Sequence, residues 1–153
     1  MTLRKILLEG KTKLGLHVGI ISRIENEQYH VYEVESEYSG INKGDIFDLE
    51  NAYCRDVISN EKTMIFDNAA EISELLKHPC YLNTQLRAYI GTPLILDNKA
   101  WGTLNFSSLK PRSQVFTSHD FATIECLAQK ATDIIQTQGV VEVVNKTPFI
   151  KSK

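Results

Sequence analysis

The chain has 153 residues, of which 42% are hydrophobic and 24% charged, a balance typical of one globular domain and unlike that of a disordered or fibrous chain. Seventeen Lys and Arg residues against nineteen Asp and Glu give a formal net charge of −2, which offers no attraction for nucleic acid or an anionic membrane. No apolar run approaches the roughly 20 residues that cross a bilayer, and no signal peptide is recognisable, so we expect a cytoplasmic protein.

The cysteines and histidines give no sign of a metal site or a disulfide framework. Cys54, Cys80 and Cys126 form an odd set without a Cys-x-x-Cys pair, which fits reduced thiols. The histidines are scattered, and no two stand at a spacing that would place both on one zinc ion. We therefore expect no metal and no cofactor, and we expect Cys126 to be a small core residue on the apolar side of the last helix.

The first third of the chain predicts a helix followed by a β-hairpin. Residues 3–14 carry leucine and isoleucine at helical spacing, although Gly10 weakens the pattern. From residue 18 the hydrophobic period changes to two, and Asn26 lies between two alternating runs, where it tolerates the positive φ of a tight turn. A brief extended piece is expected at residues 46–49, followed by a helix that Asn51 could cap.

The middle of the chain predicts a short strand, a short helix and a long hairpin. Residues 63–66 fit a buried strand, and residues 69–77 fit a helix that Pro79 stops. Residues 88–96 and 100–108 then flank a turn of residue types that accept left-handed geometry, which predicts an antiparallel pair. Within this pair, a proline at position 93 must lie at an edge or a bulge.

The C-terminal part predicts the longest helix. Thr117 and Asp120 form a capping box in front of apolar residues at helical spacing, and we expect a helix of about five turns that Gly139 closes. Residues 139–153 are then a tail, either an extra edge strand or frayed. Strands grouped in hairpins with helices at the ends indicate one α+β domain with a mostly antiparallel sheet.

No phosphate-binding glycine loop, nucleophile elbow or His-Glu-x-x-His motif is present. What stands out is a series of segments: Tyr53-Cys-Arg-Asp-Val57, His78-Pro-Cys-Tyr81, Arg87-Ala-Tyr-Ile-Gly-Thr-Pro-Leu94, Trp101-Gly-Thr-Leu-Asn-Phe-Ser-Ser108 and Phe116-Thr-Ser-His-Asp120. In this order and spacing they resemble a GAF domain of the bacterial type that serves as an input module of sensor histidine kinases and diguanylate cyclases. The resemblance covers residues 1–138.

The resemblance implies a GAF-like, PAS-related architecture. Its central antiparallel sheet has five or six strands, the N- and C-terminal helices lie together on one face, and a ligand pocket under short helices and loops lies on the other. In the family the terminal helices often mediate parallel dimers, so the resemblance implies a homodimer. Because no kinase or cyclase segment follows Gly139, we expect any signalling output domain to be a separate chain.

The second hairpin predicts which strand residues face the pocket. If its loop has two residues, alternation places the following side chains on one face: Ile90, Thr92, Leu94, Trp101, Thr103, Asn105 and Ser107. This face mixes amide and hydroxyl groups with apolar ones, as small-molecule pockets do, whereas the other face, with Leu104 and Phe106, is typical of core. We therefore expect Thr92, Asn105 and Ser107 to face the ligand. Cross-strand hydrogen bonding on a solvated face is the alternative for the last two.

The remaining pocket walls are expected from the segments that roof the sheet. They are Tyr53, Cys54, Arg55, Phe66, Asn68 and Tyr81. Arg55 could receive an anionic ligand or brace the loops through a carboxylate. Its neighbour Asp56 should point to a different side of the helix, so we expect that the two do not simply pair. The tyrosines could stack on a planar ligand or pack as core with a solvated hydroxyl group.

Cys54 admits an enzymatic alternative. One GAF-related family, the free methionine-(R)-sulfoxide reductases, uses pocket cysteines as nucleophile and resolving thiol, and the spacing from Cys54 to Asp67 is similar to its segment around the first cysteine. Asn83 and Thr84 stand where those enzymes carry a further cysteine. The asparagine-lysine positions of the cyclic-nucleotide-binding relatives and the chromophore cysteine position of phytochrome-like relatives are not matched either.

The sequence thus predicts a non-catalytic, small-molecule-sensing regulatory domain in signal transduction, with an unidentified ligand. Ligand binding would close the roof over residues 53–81, and the sheet would pass this change to the terminal helices. The alternatives are a thiol enzyme of the methionine sulfoxide reductase type and a dimerising scaffold whose pocket is filled by its own side chains.

Overall fold

The computed structural model of the protein describes residues 1–72 and 84–150, with side chains as far as Gln138. Its helices are α1 (Leu3–Leu14), α2 (Cys54–Asn60) and α3 (Ser118–Ile150), with single 3-10 turns at Leu49–Asn51 and Ala69–Glu71. Its strands are β1 (Val18–Glu25), β2 (Gln28–Ser36), β3 (Ile46–Asp48), β4 (Met64–Phe66), β5 (Ala88–Leu96) and β6 (Lys99–Ser108).

The strands form one six-stranded antiparallel sheet in the order β3-β2-β1-β6-β5-β4. Both predicted hairpins are confirmed, and each has a two-residue turn with left-handed backbone at both positions. Asn26 and Glu27 have φ of 55° and 60°, and Asp97 and Asn98 have φ of 52° and 64°. These values match the type I′ turn, whose twist suits the right-handed twist of the flanking strands.

Helices α1 and α3 pack together on one face of the sheet, as predicted, and bury the larger apolar core. Gly10 of α1 lies directly over the Phe106 ring of β6. A Cβ atom at position 10 would stand 2.1 Å from Cζ of that ring, which is far inside van der Waals contact. The glycine that weakens the helical pattern is therefore the residue that lets α1 approach the sheet.

The capping box at the start of α3 is confirmed. The Thr117 amide donates to Asp120 Oδ2 over 2.9 Å, and the Asp120 amide donates to Thr117 Oγ1 over 3.3 Å. The Arg112 guanidinium adds a bond of 2.9 Å to the same Oδ2 atom. Burial acts to raise the pKa of the Asp120 carboxyl, but the bonds from Thr117 and Arg112 outweigh it and hold the pKa below its ordinary value.

Two predictions about the C-terminal helix are wrong. Helix α3 passes through Gly139 and continues to Ile150, because a glycine in a helix costs only about 1 kcal/mol relative to alanine. Cys126 is exposed instead of buried. It lies two residues after the buried Ile124, about 200° around the helix, so it faces away from the sheet.

The short helices between the two hairpins begin at other residues, and are capped by other residues, than the sequence predicts. Asn51 belongs to the 3-10 turn, and α2 begins at Cys54 without a side-chain cap. Asn68 instead caps the turn Ala69–Glu71 through its side chain, which accepts from the Ala70 amide. The rest of the helix predicted for residues 69–77, and the proline expected to stop it, lie outside the described residues.

Candidate functional site

The second hairpin differs from its predicted register by one residue. Its loop has two residues, as the prediction assumes, but a bulge between Leu94 and Ile95 shifts the pairing beyond it. Leu94 therefore pairs with Gly102, where an uninterrupted ladder would pair it with Trp101. Side chains alternate between the two faces along each strand. Because of the shift by one residue, each β5 residue before the bulge shares a face with a different set of β6 residues from the one predicted.

This shift changes which β5 residues share a face with Asn105 and Ser107. Ser107 pairs with Tyr89, and Asn105 pairs with Gly91, so these residues share the face turned away from the terminal helices. Asn105, Ser107 and Tyr89 all line the cavity on that face.

Thr92 lies on the other face, so the prediction that it faces the ligand side is wrong. It pairs with Leu104, which belongs to the core under α1 and α3. Its hydroxyl group is 2.7 Å from Thr63 Oγ1, and Thr63 in turn donates to Glu125 Oε2 of α3 over 3.1 Å. Thr92 therefore connects the sheet to the C-terminal helix.

A cavity of about 410 Å³ lies on the face of the sheet opposite α1 and α3. Strands β1, β2, β5 and β6 form its floor, and the segment from β3 to the start of α2 forms one wall. The lining residues are Ile20, Tyr29, Gly40, Ile41, Phe47, Asp48, Asn51, Ala52, Tyr53, Cys54, Thr84, Leu86, Tyr89, Asn105 and Ser107. Its volume lies within the range of small-molecule sites, and most of its lining is apolar or aromatic.

A buried polar cluster occupies the floor. The Asn105 Nδ2 atom lies 3.1 Å from Tyr29 Oη, 3.3 Å from Cys54 Sγ and 3.2 Å from Thr103 Oγ1. Cys54 Sγ also lies 3.0 Å from Tyr89 Oη and 3.1 Å from Thr103 Oγ1. Cys54 is only 2% exposed, and its thiol is surrounded by hydroxyl and amide groups from two strands, Tyr89 of β5 and Thr103 and Asn105 of β6.

Two polar groups beside this cluster have no partner in the described part of the chain. They are the side-chain oxygen of Asn105 and the hydroxyl group of Ser107, and the two residues are 4% and 2% exposed. Both residues line the cavity. Buried polar groups normally form hydrogen bonds, so an unpartnered pair at a cavity points to a ligand or water molecules there.

Aromatic rings form the side of the cavity near α2. Tyr53 donates its hydroxyl to the Leu86 carbonyl over 2.7 Å, and its ring meets the Tyr89 ring edge to face at 5.3 Å. Phe66 stacks on Tyr89 with centroids 5.6 Å apart, but it lies behind the lining as a support. The tyrosine hydroxyl groups are bound within the protein, so only the rings are presented to the cavity.

Arg55 and Asn68 are not among the described residues that line the cavity. Arg55 makes ion pairs of 3.6 Å with Glu50 and with Asp56, so the bracing role fits the structure. The expectation that Arg55 and its neighbour Asp56 do not pair is wrong, because Arg55 Nε lies 3.6 Å from Asp56 Oδ1, within the reach of the long arginine side chain. Asn68 is occupied by its capping bond to the Ala70 amide at 3.1 Å. Tyr81 lies outside the described residues.

Several lining residues were missed by the sequence reasoning. Tyr29, Phe47 and Asp48 come from β2 and β3, at the far side of the sheet from the second hairpin. The alternation of β2 identifies Tyr29 as an inward residue, but no local pattern indicates that the three-residue strand β3 pairs with it. Among the lining residues that the structure describes, Asp48 is the only charged one.

The described residues contain neither a membrane-spanning helix nor a cluster of metal-binding side chains. None of their helices combines the length and apolarity needed to cross a membrane. In that part of the chain, no group of three or more His, Cys, Asp or Glu side chains is arranged to hold a metal ion.

The GAF domain family model matches residues 1–135. The structure is similar to the blue-light-absorbing form of the Thermosynechococcus elongatus PixJ GAF domain (13% identity, TM-score 0.71, 95% of this chain and 89% of that one). It is also similar to the GAF domain of an Acinetobacter phosphoenolpyruvate-protein phosphotransferase (15% identity, TM-score 0.70, 92% and 94% covered). The chromophore-binding domain of the R. palustris bacteriophytochrome RpBphP3 matches at 17% identity and TM-score 0.69, with 90% of this chain and 54% of that one covered.

At these identities the solved structures share the fold only. No curated protein matches the sequence. The family match spans most of the chain, and the six-stranded sheet with packed terminal helices is the arrangement the resemblance implied. The chain belongs to the GAF domain family.

Proposed function

We propose that this GAF domain is a non-catalytic sensory module that binds a small molecule in the cavity beside α2 and regulates a signalling partner. The observation that carries the proposal is the cavity itself. Its volume of about 410 Å³ suits a small ligand, its walls are aromatic, and the two unpartnered polar groups on its floor can fix a ligand's orientation. A domain that served only as a scaffold would gain stability by filling this space.

Strand β6 is the route by which the ligand would act. Asn105 and Ser107 face the cavity, while Leu104 and Phe106, between and beside them, face the core under α1 and α3. A ligand that binds one arrangement of β6 more tightly than another shifts the population of both faces together. A homodimer through the terminal helices, a separate output protein and a cytoplasmic location complete the proposal.

A thiol reductase is the second candidate, because the cavity contains Cys54. Reduction of a sulfoxide by one thiol requires a second thiol to release the oxidised cysteine as a disulfide. Within the described residues the other free cysteine is Cys126, which is exposed on α3 across the sheet from the cavity, whereas Cys80 lies outside the described residues. The deep burial of Cys54 and its three polar neighbours favour a structural role in the floor of a binding site.

The two candidates are separated by an activity assay. The protein is incubated with free methionine sulfoxide and a thiol reductant, beside the Cys54→Ser variant. The proposal expects no turnover above the background of the reductant. Turnover that is lost in Cys54→Ser would establish the reductase and refute a non-catalytic module.

Ligand binding is tested by thermal denaturation across a metabolite panel, since a compound that binds only the folded state raises the midpoint. Ala52 lines the cavity, and the Ala52→Phe variant should abolish any such shift by filling the space. The matched control is Ala100→Phe, because Ala100 is half-buried near the turn of the second hairpin and does not line the cavity. A panel that gives no shift at all favours the scaffold, and a shift retained in Ala52→Phe places the ligand elsewhere.

A further inference from the structure

The charges around the cavity restrict the ligand. No cationic side chain is found among the lining residues that the structure describes, and the single charged one, Asp48, is acidic. A carboxylate or phosphate that entered would lose its hydration without gaining a counter-charge, which is costly in an apolar site. Asp48 is exposed, so it adds a negative potential at the mouth of the cavity.

The two unpartnered groups on the floor indicate which hydrogen-bonding groups the ligand carries. The free oxygen of the Asn105 amide can only accept, so it requires a donor on the ligand. The Ser107 hydroxyl can donate or accept, and it lies two residues further along the same face of β6, about 7 Å away. A compound with one or more N–H groups at the end that reaches the cavity floor can donate to the Asn105 oxygen. A neighbouring oxygen or N–H group on the same compound can bond to the Ser107 hydroxyl.

The shape and surface of the walls indicate a ring. Tyr53 and Tyr89 present their rings on one side, and Tyr29 and Phe47 on the other, with the latter pair 6.3 Å apart between centroids. Aromatic side chains pack well against planar rings, and their faces also attract a cation.

We infer that the cavity takes an uncharged or singly cationic aromatic compound with N–H donors, such as an amide or amidine, and excludes carboxylates and phosphates. The inference rests on the proposed function, because it names the chemistry of the ligand for that site.

The test compares three probes with the same ring and different charge: benzamide, benzamidine and benzoate. Each is titrated into the full isotopically labelled chain and followed by the backbone amide signals of β6 in NMR spectra. Benzamide and benzamidine should perturb these signals, and benzoate should bind at least about tenfold more weakly, since its oxygens only accept and carry charge. Loss of one hydrogen bond in Ser107→Ala should weaken benzamide about two- to tenfold.

The matched control is Ser108→Ala, because the neighbouring Ser108 is equally buried but faces the other side of β6. It should leave benzamide binding unchanged. If benzoate binds as tightly as benzamide and Ala52→Phe abolishes both, the charge inference is overturned while the proposed cavity survives. If none of the probes perturbs β6, or the perturbation persists in Ala52→Phe, the inference is also overturned, and the metabolite panel decides the proposed function separately.

Discussion

Replacing Ser107 by alanine should leave the protein as stable as the wild type or make it more stable, although the residue is only 2% exposed. Its hydroxyl group has no partner in the described part of the chain, and an unsatisfied buried polar group costs about 1–3 kcal/mol. Water molecules entering the cavity would recover part of that cost. The expected gain in the free energy of unfolding is therefore about 0–1 kcal/mol.

Ser108 supplies the comparison, because it is also 2% exposed and differs in its bonding. Its Oγ atom accepts from the His17 amide over 3.1 Å, and the same amide also donates to the Ser107 carbonyl over 3.1 Å. Because the His17 amide is shared between two acceptors, its bond to Ser108 should contribute little to stability. Ser108→Ala should therefore lower the free energy of unfolding by about 0.5–1 kcal/mol. The two alanine variants should thus differ by about 0.5–2 kcal/mol.

Thermal and urea denaturation measure this difference directly. In a domain of this size 1 kcal/mol corresponds to roughly 2–4 °C in Tm, so Ser107→Ala should melt about 1–8 °C above Ser108→Ala. The reasoning is refuted if Ser107→Ala loses as much stability as Ser108→Ala. That result would mean that the Ser107 hydroxyl contributes to folding and has not been left open for a ligand.

Three further outcomes are expected. Gly10→Ala should lower the free energy of unfolding by about 1–3 kcal/mol in urea denaturation, because the new methyl group overlaps the Phe106 ring; unchanged stability would contradict the close packing of α1. The folded-state pKa of Asp120 lies below the unfolded value, so its contribution to stability is complete above the unfolded pKa and is lost as the pH falls through the folded pKa. Denaturation between pH 6 and about pH 2 should show this loss in the wild type and a weaker pH dependence in Asp120→Asn. Thr103→Val should cost about 1–3 kcal/mol, since it removes the partner of Ser22 at 2.6 Å in a fully buried pair, and a change below about 0.5 kcal/mol would argue against that bond.

The sequence predicts the hairpins and terminal helices because their signals are local. The turn residues at positions 26 and 97–98 specify both hairpins, and the capping box at Thr117 specifies the start of α3. The GAF architecture follows from the order of the motifs and not from periodicity, which alone cannot choose among antiparallel α+β folds.

The pocket was predicted less well because it depends on register. One bulge at Leu94 moved Thr92 to the helix side and brought Tyr89 to the cavity. The available signal was Gly102, since an isolated glycine in a strand often marks a bulge or a close backbone approach. Here a Cβ atom at position 102 would lie 1.9 Å from the Ser22 carbonyl oxygen.

Other details of the site depend on contacts between distant segments. The pairing of β3 with β2 brings Phe47 and Asp48 to the cavity, although no motif marks that three-residue strand. The ion pair of Arg55 with Glu50 depends on the 3-10 turn that separates β3 from α2. By contrast, the exposure of Cys126 follows from helix geometry, and a count of 100° per residue from Ile124 predicts it.

The Phe106 ring fills a notch that two glycines leave open, one in α1 and one in β1. Cβ atoms at positions 10 and 19 would lie 2.1 Å and 2.8 Å from ring carbons. There is no slack between the ring and the helix above it, and close-packed interiors transmit strain instead of absorbing it. The ring therefore fixes how closely the first helix approaches β1 and β6 on this face of the sheet, and a side chain at either glycine position would force the helix or the ring to shift.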